Sequence, residues 1–160
     1  HKDDPIEVEK EHAEIYWGKI KSHLPDVCHG LSSYWNPDYH ELAWNVHMKY
    51  CDFIAPQIYH VKKDPIETIR KGIKLNARFD KPQIVTLQAF WGEMGISEIG
   101  ATKDFERICE RWNTELKDIV LENKVIGINF WYAGGTGESA FNEMMEESWK
   151  NFNPILKEVN

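Results

Sequence analysis

The alternation of apolar and polar side chains is clearest in the stretch Asp52-Phe53-Ile54-Ala55-Pro56-Gln57-Ile58-Tyr59-His60. It is short and mostly apolar, with Cys51 before it and the helix start Asp64-Pro65 after it, which predicts a buried strand. Successive strand side chains point to opposite faces. Ile54, Pro56 and Ile58 therefore share one face, and Phe53, Ala55, Gln57 and Tyr59 share the other. A strand in a helix-covered parallel sheet is normally apolar on both faces. Here polarity is confined to one face and grows toward the C-terminal end.

Two later stretches repeat the arrangement. In Ile84-Val85-Thr86-Leu87-Gln88-Ala89-Phe90-Trp91, the residues Val85, Leu87 and Ala89 oppose Thr86, Gln88 and Phe90. In Val125-Ile126-Gly127-Ile128-Asn129-Phe130-Trp131-Tyr132, the set Ile126, Ile128 and Phe130 opposes Gly127, Asn129 and Trp131. Each strand thus carries an amide two residues before an aromatic ring on the same face. An outer face packed on helices and an inner face looking into shared space would give a barrel with a polar, aromatic-lined mouth.

The segments between these strands have helical signatures. Asp4-Pro5-Ile6-Glu7 predicts a first helix, with Asp4 as N-cap, Pro5 at its first position and Glu7 completing a capping box. It would end near residue 24, and Ile15, Tyr16, Trp17 and Ile20 would be its apolar stripe. Val27 to Tyr34 is the first strand, with its inward face unassigned. Asn36-Pro37 would cap a helix through about Tyr50, with Tyr39, Leu42, Ala43 and Val46 at helical spacing. Asp64-Pro65-Ile66-Glu67 repeats the capping signature and starts a helix to about Ala77. Thr102 would cap the longest helix, striped by Phe105, Ile108, Cys109, Trp112, Leu116, Ile119 and Val120. A last helix is predicted over about Ser139 to Phe152.

Four strand-helix units in this order imply a parallel sheet with right-handed crossovers. A full barrel of eight units takes about 250 residues, and this chain has 160. The expected fold is therefore α/β: four β-α units with helices outside, one domain over residues 1–160, forming the C-terminal half of a TIM (β/α)8 barrel. The doubly wound alternative needs apolar residues on both strand faces, against which Gln57, Gln88 and Asn129 count.

Composition narrows the function classes. The formal net charge is −7, from 19 basic and 26 acidic residues, and no basic run overrides it, so a nucleic-acid partner is not expected. No apolar stretch approaches the roughly 20 residues of a membrane span. The charged start His1-Lys2-Asp3-Asp4 does not read as a signal peptide, and a signal removed earlier leaves a secreted or cell-surface location open. Cys28, Cys51 and Cys109 lack paired spacing and read as buried free thiols. No metal or cofactor is expected. His40 and His47 are too far apart on one helix for one metal, and His60 reads as a surface or loop residue. The Gly134-Gly135-Thr136-Gly137 loop lacks the lysine and spacing of a phosphate loop.

The strand Asp52 to Tyr59 resembles the sixth strand of chitinase-like (family 18) and related TIM-barrel glycoside hydrolases, where a Gln-x-Tyr or similar pair faces the sugar. Val125 to Trp131 resembles the eighth strand of such enzymes, which often ends in a Trp beneath the substrate ring. The resemblance covers the C-terminal half of a barrel. It implies substrate contact for Gln57, Tyr59 and Trp131. The family's Asp-x-x-Asp-x-Glu motif, which supplies the general acid, does not occur in this sequence.

The residue chemistry points the same way. Aromatic rings stack on the flat faces of sugars, and amides both donate to and accept from their hydroxyls. Tyr59, Trp91 and Trp131 with Gln57, Gln88 and Asn129 supply both parts, unless the aromatics cap the barrel core and the amides bond to one another. Glycoside hydrolysis usually needs two carboxyl groups about 5 to 10 Å apart. Glu93, just beyond the third strand and beside Trp91, is the best catalytic candidate, although a solvated loop carboxylate is its plainer reading. Asp38 and Glu138 are weaker candidates, Asp38 fitting the first turn of a helix as well. The expected partners are a glycan and either an N-terminal half-barrel chain or a second copy. A non-catalytic carbohydrate-binding or scaffold domain is the alternative.

Overall fold

In the computed structural model, which describes residues 6–39, 42–59, 64–88, 108 and 110–131, four strands pair in chain order. They are β1 (Gly30–Tyr34), β2 (Phe53–Ile58), β3 (Gln83–Gln88) and β4 (Val125–Trp131), and every pairing is parallel. The helices among the described residues include α1 (Ile6–His23), α2 (Trp44–Tyr50), α3 (Pro65–Asn76) and α4 (Lys117–Glu122). Among the described residues the strand order β1-β2-β3-β4 shows none of the reversal of a doubly wound sheet.

The face assignments of β2 follow from its burial. Ile54, Pro56 and Ile58 are buried while Phe53, Ala55 and Gln57 are half-buried. Ile58, Val85 and Leu87 are fully buried with Ile66, Ile69 and Ile73 of α3 and with Leu116 and Val120 beside them. A second cluster joins Ile54 and Leu31 to Ala13 and Trp17 of α1 and Met48 of α2. These helices therefore share the face of the sheet that bears Leu31, Ile54, Ile58, Val85 and Leu87.

The cap of α3 is the one its sequence predicts. Asp64 accepts from the Glu67 backbone N–H at 3.0 Å, and Pro65 occupies the first turn. The helix lies close to the sheet because Gly72 has no side chain: a Cβ there would meet Ile58 at 2.6 Å. A single 3-10 turn, Ala77–Phe79, continues α3 and ends at Asp80 with φ 54°. Arg111 grips Glu115 with two bonds of 2.5 and 2.7 Å and Asp64 with one of 2.9 Å, tying the start of α3 to the π-turn Trp112–Leu116.

Four expectations need correction. In α1 the buried stripe is Ala13 and Trp17 with Ile20 partly buried, whereas Ile15 and Tyr16 are 50% and 59% exposed. The i, i+4 spacing of Ala13 and Trp17 selects one face, and Ile15 and Tyr16 fall outside it. Asn36-Pro37 starts a turn instead of a helix. The Asn36 side chain accepts from the Asp38 N–H at 3.1 Å and its carbonyl from the Tyr39 N–H at 3.1 Å, so the local bonds compete with helix and α2 begins only at Trp44. Cys28 is exposed, while Cys51 is buried as a free thiol. In β4, the register jumps from Gln83–Val125 to Ile84–Gly127, leaving Ile126 as the extra residue of a bulge and 57% exposed.

One buried amide belongs to the packing. Gln83 is fully buried at the start of β3, where its Nε2 donates to the Ile73 and Asn123 carbonyls at 3.1 Å each. It thus adds a second donor to the Ile73 carbonyl, which already accepts from the Ala77 N–H. Trp35, just past β1, also turns into the core, and its carbonyl accepts from Asn76 Nδ2 at 2.7 Å. The predicted helix over 139–152 and the loop Gly134–Gly137 lie outside the described residues.

Candidate functional site

The face opposite the helices is built from three register rows. Ser32 stands beside Ala55, and Ile84 beside Gly127, in the first. The second runs across all four strands as Tyr34, Gln57, Thr86 and Asn129. Gln88 stands beside Trp131 in the third, toward the C-terminal strand ends, and Tyr59 immediately follows β2. Side chains at neighbouring register positions of a parallel sheet point to the same side. Gln57 and Asn129 thus share one row, and Gln88 and Trp131 are paired in register in the next.

The middle row is polar without being charged. Gln57 Nε2 donates to Ser32 Oγ at 3.0 Å, fixing the amide toward β1 and setting its oxygen as the remaining acceptor. Thr86 is buried at 6% exposure between half-buried Gln57 and exposed Asn129. Tyr34 is 39% exposed, with its ring 5.5 Å from that of Tyr39 at an angle of 55°. Burial pushes the Tyr59 hydroxyl above its ordinary range. At the opposite end of the face, the Phe53 ring lies over Gly30, where a Cβ would overlap it.

Tyr34 was not among the site residues read from the sequence. The alternation Ser32, Tyr34 against Leu31, Ser33 carries its signal, but Ser33 blurs the apolar side and leaves the inward face ambiguous. Asp38 pairs with Arg78 of the turn after α3 and takes no part in the row. Glu93, Trp91, His60 and Glu138 lie outside the described residues. Among the described residues, the three rows carry no carboxylate, and no group of His, Cys, Asp and Glu has the makings of a metal site.

The described side chains of the middle row are hydrogen-bonding groups without charge. Gln57 and Asn129 offer donors and acceptors on either side of the buried Thr86, with strands spaced about 4.8 Å apart. Tyr34 stands at one edge of the row with its ring near those of Trp35 and Tyr39, and Tyr59 follows β2 toward the strand ends. No described helix is long and apolar enough to cross a membrane. The chain matches no family model, no curated protein and no solved structure.

Proposed function

We propose that this chain is the C-terminal half of a TIM-barrel glycoside hydrolase-like protein and binds a polysaccharide or peptidoglycan-type glycan at the C-terminal strand ends. The observation that carries the reading is the uncharged row Tyr34–Gln57–Thr86–Asn129 on the face opposite the helices. The sequential strand order with helices on the other face supports the half-barrel, because it is the order of consecutive barrel units. Hydrolysis would draw a carboxylate from Glu93 or from an N-terminal half. The sheet edges would be completed by that half or by a second copy.

A direct test is titration with oligosaccharides of N-acetylglucosamine, followed by NMR or calorimetry, on the parent chain and on Gln57→Ala and Asn129→Ala. Each substitution removes a hydrogen-bonding amide and is expected to weaken binding about three- to tenfold. Binding unchanged in both variants, or none by the parent chain to these or to peptidoglycan fragments, overturns the reading.

The second reading, a non-catalytic carbohydrate-binding or scaffold domain, is favoured by the lack of a carboxylate among the described residues of the three rows. Glu93→Gln separates the two. Turnover lost with binding kept supports catalysis, and a parent chain that binds without turnover supports the binding module.

A further inference from the structure

On the helix-covered side of the sheet, the first turns of α1, the chain entering α2 and the turn after α3 enclose an open cavity of about 510 Å3. That volume is in the range of small-molecule sites. Its apolar wall includes Leu42, Val46 and the rings of Trp44 and Phe79, whose centroids are 5.3 Å apart and tilted by 31°. The indole is held in place because Trp44 Nε1 donates to the Pro37 carbonyl at 3.1 Å.

Lys10 and Arg78 also line the cavity, and no carboxylate does among the described residues. The Arg78 guanidinium lies 5.0 Å from the centre of the Phe79 ring. Lys10 bonds Glu7 at 2.7 Å and Arg78 bonds Asp38, each with one nitrogen, and both carboxylates face solvent. A guanidinium has five N–H donors and an ammonium three, so these contacts orient the cations without exhausting them. Exposed pairs of this kind hold their partners weakly, which makes them easy to share with a ligand.

We infer that this cavity binds a small organic carboxylate with an aromatic or branched apolar body. The apolar body lies against Trp44 and Phe79, and the carboxylate bonds Arg78 and Lys10. The site is separate from the rows on the opposite face, since Trp44, Val46 and Phe79 pack on the α1–α2 core.

The test uses three probes: phenylacetate, its neutral counterpart phenylacetamide, and acetate, which has the charge without the ring. The reporter is the Trp44 indole N–H resonance, assigned by its loss in Trp44→Phe. A saturable shift is expected with phenylacetate, and about tenfold or weaker binding with each of the other two. Lys10→Gln and Arg78→Gln are expected to erase the preference for the acid over the amide while leaving amide binding in place. Lys71→Gln, a cation outside the cavity lining, is expected to leave phenylacetate binding as in the parent chain. Equal affinity for acid and amide, or no saturable shift with phenylacetate on the parent chain, overturns the inference.

Discussion

The indole Nε1–H of Trp17 donates to Nδ1 of His47 across 3.0 Å, joining α1 to α2 beneath the stacked ring of Tyr50. Nδ1 can accept only when it carries no proton, so in the neutral ring the proton sits on Nε2, which lies 3.5 Å from Glu9 Oε1. Trp17 is 4% exposed, and its N–H depends on this acceptor.

His47→Leu would therefore bury a donor without a partner, at a cost of about 1–3 kcal/mol. His47→Gln retains an acceptor of similar reach and is expected to recover much of that loss. Urea unfolding of both variants checks the pair. If leucine proved as stable as glutamine, the Trp17 bond would not be a determinant of the α1–α2 contact.

Gly72 sets the distance between α3 and β2. In an exposed helix interior, alanine is favoured over glycine by about 1 kcal/mol. Here the added Cβ would stand 2.6 Å from Ile58 Cδ1 and 2.9 Å from its Cγ1, and Ile58 is fully buried. Gly72→Ala is expected to destabilise by about 1–3 kcal/mol because overpacking outweighs propensity. Ile58→Val in the same chain removes the nearest atom and should recover part of the loss, giving a favourable coupling in a double-mutant cycle. Additive effects would mean that the helix and strand do not meet there.

Asp64 links the cap of α3 to acid stability. The Glu67 backbone N–H, with the Arg111 guanidinium, holds its carboxyl below the ordinary 3.8. A depressed folded value means that the unfolded chain binds the proton more readily. The associated stability is present above the ordinary value and is lost as the pH falls through the folded value. The His29 backbone N–H and Lys21 hold Asp52 down in the same sense. Asp64→Ala is expected to cost about 1 kcal/mol at neutral pH, the usual worth of an N-cap. Asp64→Asn should keep most of the cap and flatten the stability profile below about pH 4, since an amide does not titrate there. Thermal midpoints measured across that range separate the roles, and an unchanged profile for the asparagine variant would exclude Asp64 from the acid response.

The parts of this fold that were legible are those decided by neighbours in sequence. Strand parity separates Ile54, Pro56 and Ile58 from Phe53, Ala55 and Gln57 without knowledge of any partner. The Asp64-Pro65 signature caps a helix through bonds within four residues. Gln57 and Asn129 meet in one row because register in a parallel sheet preserves that parity. What escaped depends on distant groups. Gln83 reads as a polar strand start, and the Ile73 and Asn123 carbonyls that its Nε2 reaches come from distant segments. The bulge at Ile126 breaks parity at one step, which no periodicity reveals. Asn36-Pro37 has the composition of both a cap and a turn, and the bonds to Asp38 and Tyr39 settle it as a turn.

The two described cysteines give a chemical probe of the junction between α2 and β2. Cys51 closes α2, with its N–H on the His47 carbonyl at 3.1 Å, and is 1% exposed. Burial pushes its thiol up to about 11, from an ordinary 9.0. At pH 8 that shift alone lowers the thiolate fraction about a hundredfold, and the thiolate is the species that reacts. Cys28 is exposed in the connection before β1. Iodoacetamide at pH 8, followed by peptide mass spectrometry, should label Cys28 in the folded protein and Cys51 only when denaturant is added. Because Cys51 lies between Trp17, Met48 and Ile54 in the α1–α2 core, its labelling rate reports opening of that core. His47→Leu, which weakens the tie to Trp17, should therefore speed labelling of Cys51 without changing that of Cys28. Equal labelling of both thiols in the folded parent protein would contradict the packing of this cluster.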